Sequence, residues 1–177
     1  MLITVMLVMP VRSFGDQRDV RLAPLFDRLR AASTPSEALL FEHLIREIWL
    51  EFENPLIHEP LKRAVSAMER QDLRFASSQF DQVVKNAPDF AEGWHKRATV
   101  HFLMGDFEAA MVDIERTLAL EPRHFAALVK LGLICVQLNE PAVALRSFEA
   151  ALELHPHHRY LKQRVDGLRD QLAEYRI

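Results

Sequence analysis

Cysteine is nearly missing from this sequence, with Cys135 the only one among 177 residues. A single thiol excludes an intramolecular disulfide framework and any zinc site built from cysteines. Its neighbours Leu133, Ile134 and Val136 mark it as an ordinary buried thiol, with no nearby base or oxyanion donor to make it a nucleophile. Glycine is scarce at five residues, and strand formers do not gather into short alternating runs, so an all-helical chain rich in Ala, Leu, Glu, Arg and Gln is expected. Charge of one sign is not in excess either. The formal net charge is −3 with acids and bases interspersed, which gives no electrostatic reason for a nucleic-acid or anionic-membrane partner. The motif survey is equally bare. The chain contains no His-Glu-x-x-His, no phosphate-cradling glycine loop and no serine elbow, so no active site and no cofactor are expected. What the chain has is 49% hydrophobic and 27% charged residues, the balance of a packed domain rather than a disordered one.

No apolar run approaches the ~20 residues that span a bilayer. Met1 to Met9 is uninterrupted apart from Thr4, and Pro10 and Ser13-Phe14-Gly15 follow before Asp16. This reads as the later part of a secretory signal with small residues before a cut after Gly15, although a positively charged start is missing. Either the coding start lies upstream, or the segment is an apolar arm that packs on the helices. The export reading predicts a bacterial, periplasmic protein, with the cytoplasm as the alternative.

The strongest signal is self-similarity. Pro88, Pro122 and Pro156 stand 34 residues apart. Blocks beginning at Ile57, Ala91 and Phe125 align Ala64, Ala98 and Gly132 in their first halves, then Ala76, Ala110 and Ala144, then Phe80, Ile114 and Phe148, then Val83, Thr117 and Ala151. Two helices that cross closely need a small side chain at the contact and a large one filling the adjoining gap, which is what such columns supply. Gln71-Asp72, Gly105-Asp106 and Asn139-Glu140-Pro141 fall between the paired helices, where turn formers belong.

The block from Ala91, with Trp94, Ala98, Gly105, Ala110 and Pro122, resembles the tetratricopeptide repeat most closely, and the resemblance covers residues 57–156. The first block departs from the pattern at Pro60 and Ala67. The resemblance implies an all-α, right-handed α-solenoid of about three tandem hairpins, a bacterial repeat protein that works as a non-enzymatic scaffold for a protein or peptide. The boundaries read as a signal-like segment at 1–15, a helical cap at 16–56, repeats at 57–90, 91–124 and 125–158, and a closing helix at 159–177.

Outside the repeats, Thr34 is placed to cap a helix, with Pro35 at its first position and Glu37 able to return the hydrogen bond. Leu40, Leu44, Ile45, Ile48, Trp49 and Phe52 give that helix a broad apolar face. Leu25, Phe26 and Leu29 mark a shorter helix before it, so residues 19–53 are expected to form a degenerate hairpin stacked beneath the first repeat. Tyr160, Leu161, Val165, Leu168 and Leu172 form the stripe of a closing helix.

The first helices of the blocks line the concave side of such a solenoid. Along it Lys62, Lys96 and Lys130 recur every 34 residues, with Arg63 and Arg97 in the next column, a row of cations suited to an acidic peptide or equally a solvated face. Between them the groove is expected to be mostly apolar, through Leu61, Val65 and Met68, then His95, Thr99 and Phe102, then Val129, Leu133 and Val136, fit for an amphipathic segment or for the protein's own termini. Family members that bind chaperone tails hold a terminal carboxylate with lysines and asparagines. The matching positions here carry Leu61, Val65 and Ala126, so that clamp pattern is absent. His155, His157 and His158, with His124 one repeat earlier, are expected at water-facing turns rather than on a metal. The second functional reading is a structural subunit that self-associates through apolar faces such as Ile48, Trp49 and Phe52.

Overall fold

The computed structural model describes residues 16–174, and every regular element among them is an α-helix. The elements in chain order are α1 (Leu22–Ala31), α2 (Pro35–Leu50), α3 (Pro55–Glu69), α4 (Leu73–Asn86), α5 (Ala91–Met104), α6 (Phe107–Leu120), α7 (Phe125–Gln137), α8 (Pro141–Leu154) and α9 (Arg159–Glu174). Three antiparallel hairpins, α3–α4, α5–α6 and α7–α8, stack in a row, and α9 closes the end against α8. None of these helices is long and apolar enough to cross a membrane.

The chain punctuates the helices with repeated chemistry. Each first helix closes with the same paired bonds, in which the amide of Asp72, Asp106 or Glu140 donates to the carbonyl of Ala67, His101 or Cys135 at 2.9, 2.9 and 2.8 Å. That closure needs a left-handed residue just before the donor. Gln71 (φ 62), Gly105 (φ 79) and Asn139 (φ 58) occupy the position in turn, so only one repeat uses the glycine that adopts it without strain. Asp72 and Asp106 then cap the following helices by accepting from the amides of Phe75 and Ala109, close to the favourable end of the helix dipole. Thr34 caps α2 through the Glu37 amide, and Glu37 returns its bond to Ser33 rather than to the cap itself.

The predicted columns are the core. Ala64, Ala98, Ala76, Ala110, Ala144, Phe80, Ile114 and Phe148 are all fully buried, and Gly132 is buried with them. At Gly132 the helices α7 and α8 approach so closely that a Cβ would stand 2.4 Å from the Phe148 ring. Gly132→Ala is therefore expected to destabilise the third repeat by up to about 2 kcal/mol, the overpacking cost of about 1–3 kcal/mol less the ~1 kcal/mol that alanine returns in helix propensity. A lowered urea midpoint checks this, and a raised one would show that Phe148 has room to turn away.

The N-terminal hairpin corrects the expectation. It does not sit beneath the first repeat as another layer of the stack. α1 and α2 lie across the turns that join successive repeats, with their shared core formed by Phe26, Leu29, Phe41, Ile45 and Trp49 reaching Phe125 at the start of α7 and Leu154 at the end of α8. Gln17 donates to the Asp89 carbonyl at 2.6 Å in the first of these turns. Trp49 stacks on His124 in the second, with ring centroids 4.2 Å apart and planes 8° from parallel. His157, in the third, donates to the Ala32 carbonyl at 2.6 Å. The apolar stripe of α2 needed a surface to cover, and three repeat turns offered a longer one than the single edge of α3. Ile48 and Trp49 are consequently buried, and Phe52 stacks on Phe90 at 4.6 Å, so these residues do not form the exposed self-association face expected of them. On α9, Leu161, Val165 and Leu168 pack against Cys135 and Phe148, whereas Tyr160 stays exposed.

Candidate peptide-binding groove and its histidine edge

The candidate groove side chains come from α3, α5 and α7. Lys62 and Arg63 are exposed on α3, with Arg63 only loosely near Glu59 at 4.0 Å. Half-buried Val65 and exposed Lys62 line a cleft of about 440 Å³ whose opposite wall is Leu50, from the end of α2. On α5, Lys96 places Nζ 3.3 Å from Glu92 Oε1. One repeat on, Lys130 lies over the Phe102 ring with Nζ 4.7 Å from its centroid, and burial, aided by the neighbouring charge of Lys96, lowers its pKa. Among the described residues Lys130 forms no ion pair. Phe102 and Leu133 are half-buried. Thr99 spends its hydroxyl on the His95 carbonyl at 3.0 Å.

Two predicted groove residues are committed elsewhere. Arg97 turns away from its lysine neighbours and grips Asp113 of α6 with two bonds of 2.8 and 2.7 Å, adding a third to Asp81. Its guanidinium also covers Trp94 at 4.9 Å. His95 is 6% exposed and donates from Nδ1 to Glu92 Oε2 at 3.1 Å.

The histidines at the turns are not the water-facing residues the sequence suggested. His124 is fully buried and His155 is 2% exposed, because α1 and α2 roof over the turns. His124 Nε2 donates to Glu92 Oε2 at 2.8 Å, so one carboxylate oxygen serves two imidazoles while the other faces Lys96. Burial alone pushes Glu92 up, but His95 and His124 outweigh it and hold the carboxyl well below the usual range. Burial drives His95 down to about 4, so it is neutral at neutral pH. At the third turn His155 Nε2 stands 2.9 Å from Glu42 Oε2, and that bond is the main cause that lowers Glu42 to about 2.

Glu92, His95 and His124 each offer one ligand atom within 4.8 Å of the others, which invites a test for a metal. The donor set does not fit one. The Ala127 amide donates to His124 Nδ1 at 3.2 Å as the cap of α7. Nδ1 therefore has no hydrogen and Nε2 carries it, aimed at Glu92. A metal on Nε2 would force that proton onto Nδ1, against the Ala127 N–H. The cluster is a hydrogen-bonded knot that ties the start of α5 to the start of α7.

Sequence columns carried a signal for this burial. Phe90, His124 and His158 share one 34-residue column, and Ala87, Glu121 and His155 share another. Since Phe90 and Ala87 are apolar in otherwise equivalent turns, both columns marked positions that pack.

Comparison with known proteins gives the same architecture. A family model described as Tetratricopeptide repeat matches residues 61–117 and again 95–159. A TPR repeat-containing protein of Rhizobium etli is 32% identical over 153 residues, covering 86% of this chain and 75% of its own length. An SGT1 homologue of Oryza sativa is 29% identical, over 52% of this chain and 24% of that protein. Among solved structures, the TPR2B domain of yeast Sti1 in complex with pHsp70 superposes with a TM-score of 0.62 at 19% identity, covering 67% of this chain and 99% of that one. The first TPR of Spaghetti (RPAP3) bound to the HSP90 peptide SRMEEVD gives 0.65 at 17%, covering 68% and 96%. MamA gives 0.62 at 20%, covering 88% and 86%. With the 34-residue columns buried, three hairpins stacked and the family model spanning them, this chain belongs to the tetratricopeptide repeat family.

Proposed function

We propose that the chain is a non-enzymatic scaffold whose groove, lined by α3, α5 and α7, binds an acidic segment of another protein with apolar residues on either side of its charges. The observation that carries this is the pair Lys96 and Lys130. Both cations are half-buried and neighbouring, but among the described residues only Lys96 reaches a carboxylate, Glu92, while Lys130 rests on Phe102. A desolvated cation without a carboxylate of its own gains most from an anion supplied by a ligand. The solved neighbours support the class of partner, since Spaghetti is bound to the HSP90 peptide SRMEEVD and the Sti1 domain is in complex with pHsp70. The signal-like residues 1–15, which lie outside the described residues, are the basis for placing this binding in a bacterial envelope.

A labelled Leu/Glu peptide and its Leu/Lys counterpart, titrated against the full chain, test the reading. The acidic peptide is expected to bind preferentially, and Lys62, Lys96 and Lys130 changed together to Glu should weaken it at least tenfold, since like charges then face each other. Equal affinity of variant and parent for the acidic peptide would sink the cationic groove. Recovery of the full chain, with Met1–Gly15 intact, in the cytoplasmic fraction would sink the envelope assignment alone.

A further inference from the structure

We propose that the outward face of the α1–α2 hairpin is a contact surface for a second copy of this chain. The inner face of the hairpin is spent on the repeat turns. The outer face carries an open cleft of about 380 Å³ between the two helices, floored by Pro24, Leu25 and Leu44. Leu40, one turn from Leu44, is 54% exposed and Leu44 36%. Helical spacing puts Leu40, Leu44 and Glu47 on one stripe of α2, continued by the cap residue Glu51, and Leu25 and Arg28 on one stripe of α1, begun by the cap residue Arg21. The cleft therefore has a cationic wall on α1, Arg21 and Arg28, and an anionic wall on α2, Glu47 and Glu51.

That division of charge selects the occupant. A ligand of one sign would meet one favourable wall and one unfavourable one. A second copy, related by a two-fold axis running along the cleft, brings its own α2 to this α1 and its own α1 to this α2, so both walls face opposite charge around an apolar centre. The result is an antiparallel four-helix contact. Within one chain the charges leave room for it. Arg21 pairs with Asp19 and Glu51, but Arg28 lies over Phe41 at 6.0 Å and Glu47, among the described residues, has only His43 at 3.4 Å.

The surface shares no residue with the groove, so association and peptide binding are separable, and a dimer would present two grooves to one partner. Linked sites of that kind raise apparent affinity without new contacts.

Sedimentation of the full chain at micromolar concentrations is expected to give twice the 20.5 kDa chain mass. Leu44→Glu should weaken association at least tenfold while leaving the helical circular dichroism unchanged. Arg28→Glu alone and Glu47→Arg alone should each weaken it, and the two together in one chain should restore it, because each copy then offers a new Glu to the other's new Arg. A monomeric parent chain, or a dimer untouched by Leu44→Glu, overturns the proposal. So does failure of the double reversal to rescue. A parent monomer that dimerises once residues 1–15 are removed would assign the cleft to that segment instead.

Discussion

Glu92→Ala is expected to lower the stability of the fold by about 2–6 kcal/mol, the cost of leaving two buried hydrogen-bond donors without their acceptor. The reason is the number of donors that converge on it. His95 Nδ1 and His124 Nε2 both donate to Oε2, and Lys96 approaches Oε1. With the carboxylate gone, two buried N–H groups have no acceptor, and each unsatisfied group costs about 1–3 kcal/mol. The loss reaches beyond α5. His124 caps α7 and supports the Trp49 ring, so the hairpin α1–α2 loses its seat as well. Glu92→Gln keeps one carbonyl oxygen for one of the two imidazoles and should cost clearly less. Urea unfolding followed by circular dichroism, with Trp49 fluorescence as a second probe, measures both variants. Equal midpoints for Glu92→Ala and the parent would show that the knot contributes nothing.

The repeats were legible because they are built from volumes. A helix crossing that admits only alanine or glycine repeats that demand every 34 residues, and Ala64, Ala98 and Gly132 report it whatever surrounds them. The turn positions were legible for a similar local reason, since a left-handed residue followed by an acidic cap is a short-range requirement. The place of α1–α2 was not. Its apolar stripe states that the hairpin covers something, but the same stripe fits the edge of α3 or the row of turns, and only the assembled surface decides. The histidines follow from that. Without the hairpin above them, His124 and His155 would be exposed turn residues. Beneath it they must find acceptors, and Glu92 and Glu42 supply them. The groove was legible as a row of positions rather than as chemistry. Lys62, Lys96 and Lys130 look equivalent in sequence, yet the first is exposed, the second is tied to Glu92 and the third is pressed onto Phe102. Arg97 left the row because Asp113 on α6 offers two oxygens to its planar fork, a preference that lysine does not share.

Acid is expected to destabilise the protein over a window set by His95. Burial holds its folded-state pKa at about 4, whereas in the unfolded chain it takes a proton near 6.5. Between those values the unfolded state binds one more proton than the folded state, so stability falls as pH falls, by about 1.4 kcal/mol per pH unit and about 3 kcal/mol across the window. Above pH 6.5 both states hold neutral imidazole and this contribution is flat. His158, lowered by burial and by His155, acts with the same sign. Below about pH 4.5 the unfolded chain also begins to protonate Glu92 and Glu42, which the folded chain keeps ionised, so the loss continues rather than reversing. Urea midpoints taken from pH 7.5 down to 4.5 should trace this decline, and His95→Gln should flatten most of it, since the amide can still donate to Glu92 without titrating. A variant that keeps the parent's slope would show that the decline belongs to other groups and that His95 accepts its proton in the folded chain as readily as in the unfolded one.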